Sequence, residues 1–115
     1  MHKVEISKEL FEAVYNCDIT TDKDTLNAYK NINLYTFFFD CKEWALNKGY
    51  QIISGLADEP AHRRSDEKAY AKINHYYGDS IDNLKYKYKI IIANTEVEVV
   101  IKASEYVLKE LNENR

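Results

Sequence analysis

The sequence predicts an α+β fold: a small sheet of about three, largely antiparallel strands packed against helices in a single-domain sandwich over residues 1–115. Three observations lead there. The chain has 115 residues, the size of one domain. Glycine (3) and proline (1) are scarce, so long regular elements should outweigh tight turns. The periodic segments run strand, helix, long kinked helix, strand, helix, strand, helix, which antiparallel strands covered by helices accommodate most simply. No internal repeat, low-complexity tract or linker interrupts them.

Residues 3–6 (Lys3, Val4, Glu5, Ile6) alternate polar and apolar and suit a short edge strand. Ser7 then offers an N-cap hydroxyl. Leu10, Phe11, Val14 and Tyr15 recur at helical spacing over roughly 8–16. Asn16 to Thr21 is a connection. Thr21 and Asp24 cap a second helical stretch holding Leu26 and Tyr29. Asn31-Ile32-Asn33 should break it, because asparagine competes for backbone hydrogen bonds. Helicity resumes with Leu34, Phe37, Phe38, Cys41, Trp44 and Ala45, a wide apolar face with Trp44 in the core. Lys48 and Gly49 close it, a cation followed by a residue suited to a left-handed cap.

Tyr50 to Ser54 reads as a strand ended by Gly55. Residues 57–65 are polar and loop-like. Ser65 caps a helix across 66–77, with Ala69, Ile73, Tyr76 and Tyr77 inward and Gly78 as its stop. The same residues also read as a strand with Tyr70, Lys72, Asn74 and Tyr76 on one face. After a turn at 79–83, Tyr86, Tyr88, Ile90 and Ile92 alternate with Lys85, Lys87 and Lys89. This is the best strand in the chain. Its apolar end, Ile90-Ile91-Ile92, predicts a central position, with the lysines facing water. Thr95 and Glu98 form a capping box for a last helix over about 96–112. Val97, Val100, Ile101, Ser104, Val107, Leu108 and Leu111 make its stripe. Glu98–Lys102 and Glu105–Lys109 are supporting pairs. Val99, Ala103 and Tyr106 widen its face beyond one sheet contact, as a homodimer interface would require.

Composition excludes several functions. A net charge of -3, from 16 basic against 19 acidic residues, speaks against a general nucleic-acid binder. No apolar run approaches the ~20 residues that span a bilayer, and Met1 to Ile6 lacks a secretory apolar core, so a cytoplasmic protein without membrane contact is expected. Two cysteines, Cys17 and Cys41, make no disulfide scaffold. With glycines only at 49, 55 and 78, no phosphate-cradling loop or dinucleotide fingerprint exists. His2, His62 and His75 are too far apart for a helical metal pair, and no Cys-x-x-Cys occurs; neither metal nor other cofactor is expected. Cys17–His75 and Ser54–His62 have no supporting pattern as nucleophile and base. Asp22/Asp24 and Glu96/Glu98 sit at helix starts, where they complement the macrodipole.

Binding features remain. His62-Arg63-Arg64 forms a basic cluster, two forks suited to phosphate or carboxylate, bracketed by Asp58, Glu59, Asp66 and Glu67. Lys85 and Lys87, with Lys89, would extend a positive surface, and Tyr86 and Tyr88 would present rings on the opposite face. Ten tyrosines make a recognition surface a reasonable use of the composition.

Cys41-Lys42-Glu43-Trp44-Ala45, closing at Gly49-Tyr50, and the segment from Asn94 to Leu108 resemble a pattern in small uncharacterised phage and prophage proteins of the α/β sandwich kind. The resemblance covers about half the chain. It implies a mobile-element accessory protein and carries over no catalytic residue. The residues and the resemblance favour a non-enzymatic acidic binding protein, an accessory or inhibitor acting through a protein–protein interface. Arg63, Arg64, Lys85, Lys87, Tyr86 and Tyr106 are its expected contact residues. The alternative is a nucleotide or nucleic-acid binding module built from the His62-Arg63-Arg64 loop and the Lys85/Lys87/Lys89 strand.

Overall fold

The computed structural model describes residues 4–56 and 69–113. Among them are helices α1 (Lys8–Tyr15), α2 (Lys23–Lys30), α3 (Leu34–Asn47) and α4 (Glu96–Glu113), and strands β1 (Tyr50–Leu56), β2 (Ala69–Tyr77) and β3 (Lys85–Ala93). Short 3-10 turns lie at Ile19–Thr21 and Ile81–Asn83. The strands form one antiparallel sheet in the order β1-β2-β3. The α+β class, with a three-stranded antiparallel sheet against helices, is therefore as the sequence predicts.

The helix boundaries follow local chemistry. Ser7 Oγ accepts the Leu10 amide at 3.1 Å and starts α1. Asp22, rather than Thr21, caps α2 by accepting the Asp24 amide. The expected break at Asn31-Ile32-Asn33 is present. Asn33 Oδ1 accepts the amides of both Tyr35 and Thr36 at 3.0 Å and so starts α3 afresh. Gly49, at φ +92°, turns the chain from α3 into β1. Thr95 forms half of its capping box: its Oγ1 accepts the Glu98 amide at 3.1 Å, while the Glu98 carboxylate turns to Lys102 at 3.4 Å. Glu105 is drawn away from its expected partner Lys109 and accepts the Ser7 hydroxyl at 2.6 Å, tying α4 to the start of α1.

Three strand expectations are corrected and one open alternative is decided. Residues 4–7 are irregular; Val4 and Ile6 pack against the core instead of pairing. The open alternative is decided for the strand: residues 69–77 form it, with Tyr70, Lys72, Asn74 and Tyr76 on one face as that reading required, and not the helix. As a strand they bury Ala69, Ala71 and Ile73 on one face and ladder with β1 on one side and β3 on the other. An isolated helix there would forgo both ladders, and alternation of this kind fits a strand. β2 is consequently the central strand and β3 an edge, with Ile90 53% and Ile92 42% exposed. Gly55 lies within β1 and does not end it.

The core lies between helices and one sheet face. Register puts Tyr50, Ile52, Ala69, Ala71, Ile73 and Ala93 on that face, and all are buried. α4 crosses all three strands, α3 lies against β1 and α4, and α1 closes over α3 and α4. Leu10, Phe11, Phe37, Phe38, Cys41 and Trp44 join Val99, Val100, Ala103 and Val107 in the cluster. The wide apolar face of α4 is thus used inside the chain, with α1 and α3 on one side and the sheet on the other. The width that suggested a dimer interface has an intramolecular explanation.

Candidate functional site

The pleat sends alternate side chains to opposite faces, so the register defines a second face that no helix among the described residues covers. It carries Gln51 and Ile53 from β1, Tyr70, Lys72, Asn74 and Tyr76 from β2, and Tyr86, Tyr88, Ile90 and Ile92 from β3. Ile53, Tyr76, Tyr86, Tyr88, Ile90 and Ile92 all stand among the exposed large apolar residues, Tyr88 reaching 60%.

The tyrosines are ordered against one another. Tyr76 and Tyr86 rings lie 4.9 Å apart, and Tyr86 and Tyr88 are stacked at 6.0 Å. Asn74, buried at the centre, accepts the Tyr86 hydroxyl at 2.6 Å and donates to Gln51 at 3.4 Å. Lys72 Nζ sits 4.9 Å from the Tyr88 ring centroid, an attraction between a cation and a ring face. Gly55 leaves room for Tyr70 to cross β1: a Cβ there would lie 3.3 Å from the ring. The result is a preformed row of rings with an aliphatic end.

The lysines of β3 point the other way. Lys87 Nζ bonds Glu110 of α4 at 3.0 Å, and Lys89 lies 4.9 Å from the Tyr106 ring centroid. Glu110 also accepts the hydroxyls of Tyr50 at 2.9 Å and Tyr106 at 2.8 Å. Burial pushes the Glu110 carboxyl up, but the hydrogen bonds from Tyr106, Lys87 and Tyr50 and the Lys87 charge outweigh it and hold the group below its usual value. The same contact raises both hydroxyls: burial, then the hydrogen bond to Glu110, pushes Tyr106 up to about 12 and Tyr50 above its ordinary value. His75 stacks 4.0 Å from Tyr50 and 5.4 Å from Tyr77, with Nδ1 2.9 Å from the Gly49 carbonyl oxygen.

These positions separate residues that the sequence grouped together. Tyr86 lies on the open face. Lys85 and Lys87 lie on the helix side of the same strand, and Tyr106 is on α4 beneath Lys89. The rings, not the lysines, dominate the uncovered face. Arg63 and Arg64, with His62, lie outside the described residues. Tyr88 presents its ring on the face opposite the lysines, as the alternation predicted, but sequence reasoning missed Ile53, Lys72, Tyr76, Ile90 and Ile92 as surface residues. The signal was present in the alternation of 85–92, but period alone does not say which face meets the helices.

Elsewhere, a groove of about 580 Å³ runs between α1, α2 and α3, lined by Phe11, Tyr15 and Ile32 with Cys17 among its neighbours. Burial, then the charges of Glu12 and Asp18, raise the Cys17 thiol and disfavour its thiolate. Cys41 is fully buried, and burial pushes its thiol up to about 12. Among the described residues no three His, Cys, Asp or Glu gather as a metal site, and no helix is long and apolar enough to cross a membrane. Comparison with family models, curated proteins and solved structures finds no match to this chain.

Proposed function

We propose that the protein is a non-enzymatic binding protein whose open sheet face covers part of a partner protein, in the manner of an accessory or inhibitor protein of a mobile element. One observation carries this: six large apolar side chains stand exposed together on a preordered sheet face. Taking ~200 Å² for each such side chain, their exposed fractions offer about 600 Å², the upper end of what monomers leave bare and close to the ~800 Å² each partner gives a standard interface. Aromatic side chains of this kind anchor interfaces because they bury much surface at little rotamer cost. The accessory sense of the reading comes from the resemblance of the segments around 41–50 and 94–108 to small phage and prophage proteins.

The test is differential capture. Tyr88→Ser/Ile90→Ser should lose a protein that the wild type retains from host lysate, while Tyr35→Ser, exposed on α3, should retain it. Equal capture by all three would remove the open face from the function. The nucleic-acid reading keeps one supporting observation, a row of three tyrosines with Lys72 beside it, since bases stack on such rings. It calls for binding to single-stranded oligonucleotide that weakens steeply with salt.

A further inference from the structure

The free edge of β3 has properties the face alone does not explain. β3 is nine residues long and pairs without interruption from Lys85↔Tyr77 to Ala93↔Ala69, so it has no bulge to twist it away from a neighbour. Among the described residues its other side carries no strand. Every residue from Lys85 to Ile90 is exposed. It contains no proline. An unpaired edge of this length presents a row of amides and carbonyls ready to accept another strand.

Charge chooses the occupant. The three strands carry four lysines (Lys72, Lys85, Lys87, Lys89) and no carboxylate. A second copy paired β3 to β3 would bring lysine-bearing strands from both molecules to one junction with no acid on either sheet, which is unfavourable. A nucleic-acid strand laid over the rings would find only Lys72, because Lys85, Lys87 and Lys89 are on the opposite face. A polypeptide strand beside β3 shares its period of two. Its side chains reach the lysine face and the ring face alternately. We infer that β3 accepts, by strand addition, an extended segment of the partner protein that alternates carboxylates with apolar residues. The carboxylates lie beside Lys85, Lys87 and Lys89, and the apolar residues continue the row of Tyr86, Tyr88, Ile90 and Ile92. Lys87 already holds Glu110, so Lys85 and Lys89 contribute most to the selection. This rests on the binding reading above and names the partner's chemistry.

The probe is a nine-residue peptide alternating glutamate with valine, with a lysine-for-glutamate version as control. Amide hydrogen exchange of the whole chain reports the geometry. Strand addition should protect every second amide of β3, the set pointing away from β2, and the lysine peptide should not. Lys85→Glu/Lys89→Glu should weaken the glutamate peptide by about tenfold, the sum expected of two reversed cross-strand pairs, while β2 amides keep their protection and show the sheet intact. Shifts at Tyr88 and Ile90 without protection of the outward β3 amides would overturn strand addition and leave face docking standing. Absence of any binding to the glutamate peptide would overturn the inference, while the capture experiment decides the binding reading separately. Displacement of the peptide by an oligothymidylate with steep salt dependence would replace it with the nucleic-acid reading.

Discussion

Glu110 shows how one side chain can join distant elements. It receives Tyr50 from β1, Lys87 from β3 and Tyr106 from its own helix. Glu110→Gln keeps the shape but exchanges a charged acceptor for a neutral one, and should cost about 1–2 kcal/mol in urea denaturation, since hydrogen bonds to charged groups are the stronger kind. The carboxyl is held below its usual 4.5 in the folded chain. Its contribution is therefore fully present above pH 4.5 and is lost as pH falls through the depressed folded value. Wild-type stability should fall over that acid range, and the loss should be smaller in Glu110→Gln. Equal acid profiles would contradict this role. Nothing local marks Glu110 in the sequence: its three partners come from 60, 23 and 4 residues away.

Among elements, those set by near neighbours were legible. Ser7, Asn33 and Gly49 act within one turn of the chain, so their roles can be read without knowing the fold. The turn from β2 to β3 belongs with them. Gly78 sits at φ +137°, and a Cβ there would collide with the Asn83 carbonyl oxygen. Gly78→Ala should lower stability by about 2 kcal/mol or more, read as a drop in melting temperature, because strain and collision add. The 69–77 segment was not legible. Ala69, Ile73 and Tyr76/Tyr77 satisfy a helical spacing, while Tyr70, Lys72, Asn74 and Tyr76 satisfy alternation. What selected the strand was the availability of β1 and β3 as neighbours on both sides, and those lie elsewhere in the chain.

At the scale of the molecule, α4 and the sheet divide the chain into a covered and an uncovered side. Tyr106 belongs to the covered side: half-buried, it bonds Glu110 and lies under Lys89. Tyr106→Lys should lower the melting temperature and leave the mass in solution unchanged, measured by light scattering across concentration. A loss of mass without a loss of stability would instead make α4 an interface between copies. The candidate surface was half legible. Tyr86 and the β3 lysines were singled out from their alternation, yet Tyr76 and Ile53, 10 and 33 positions away in sequence, joined Tyr86 only through strand pairing. The amino-acid order by itself determined α1 to α4, the caps at Ser7 and Thr95, the α+β class and the alternation of rings with lysines along β3, because each depends on hydrogen bonds and periodicity within a few residues. Only the tertiary structure decided that β2 is central, that β3 is an edge and that the rings face outward. A strand's period names two faces, and the helices that pack on the sheet choose which one is buried.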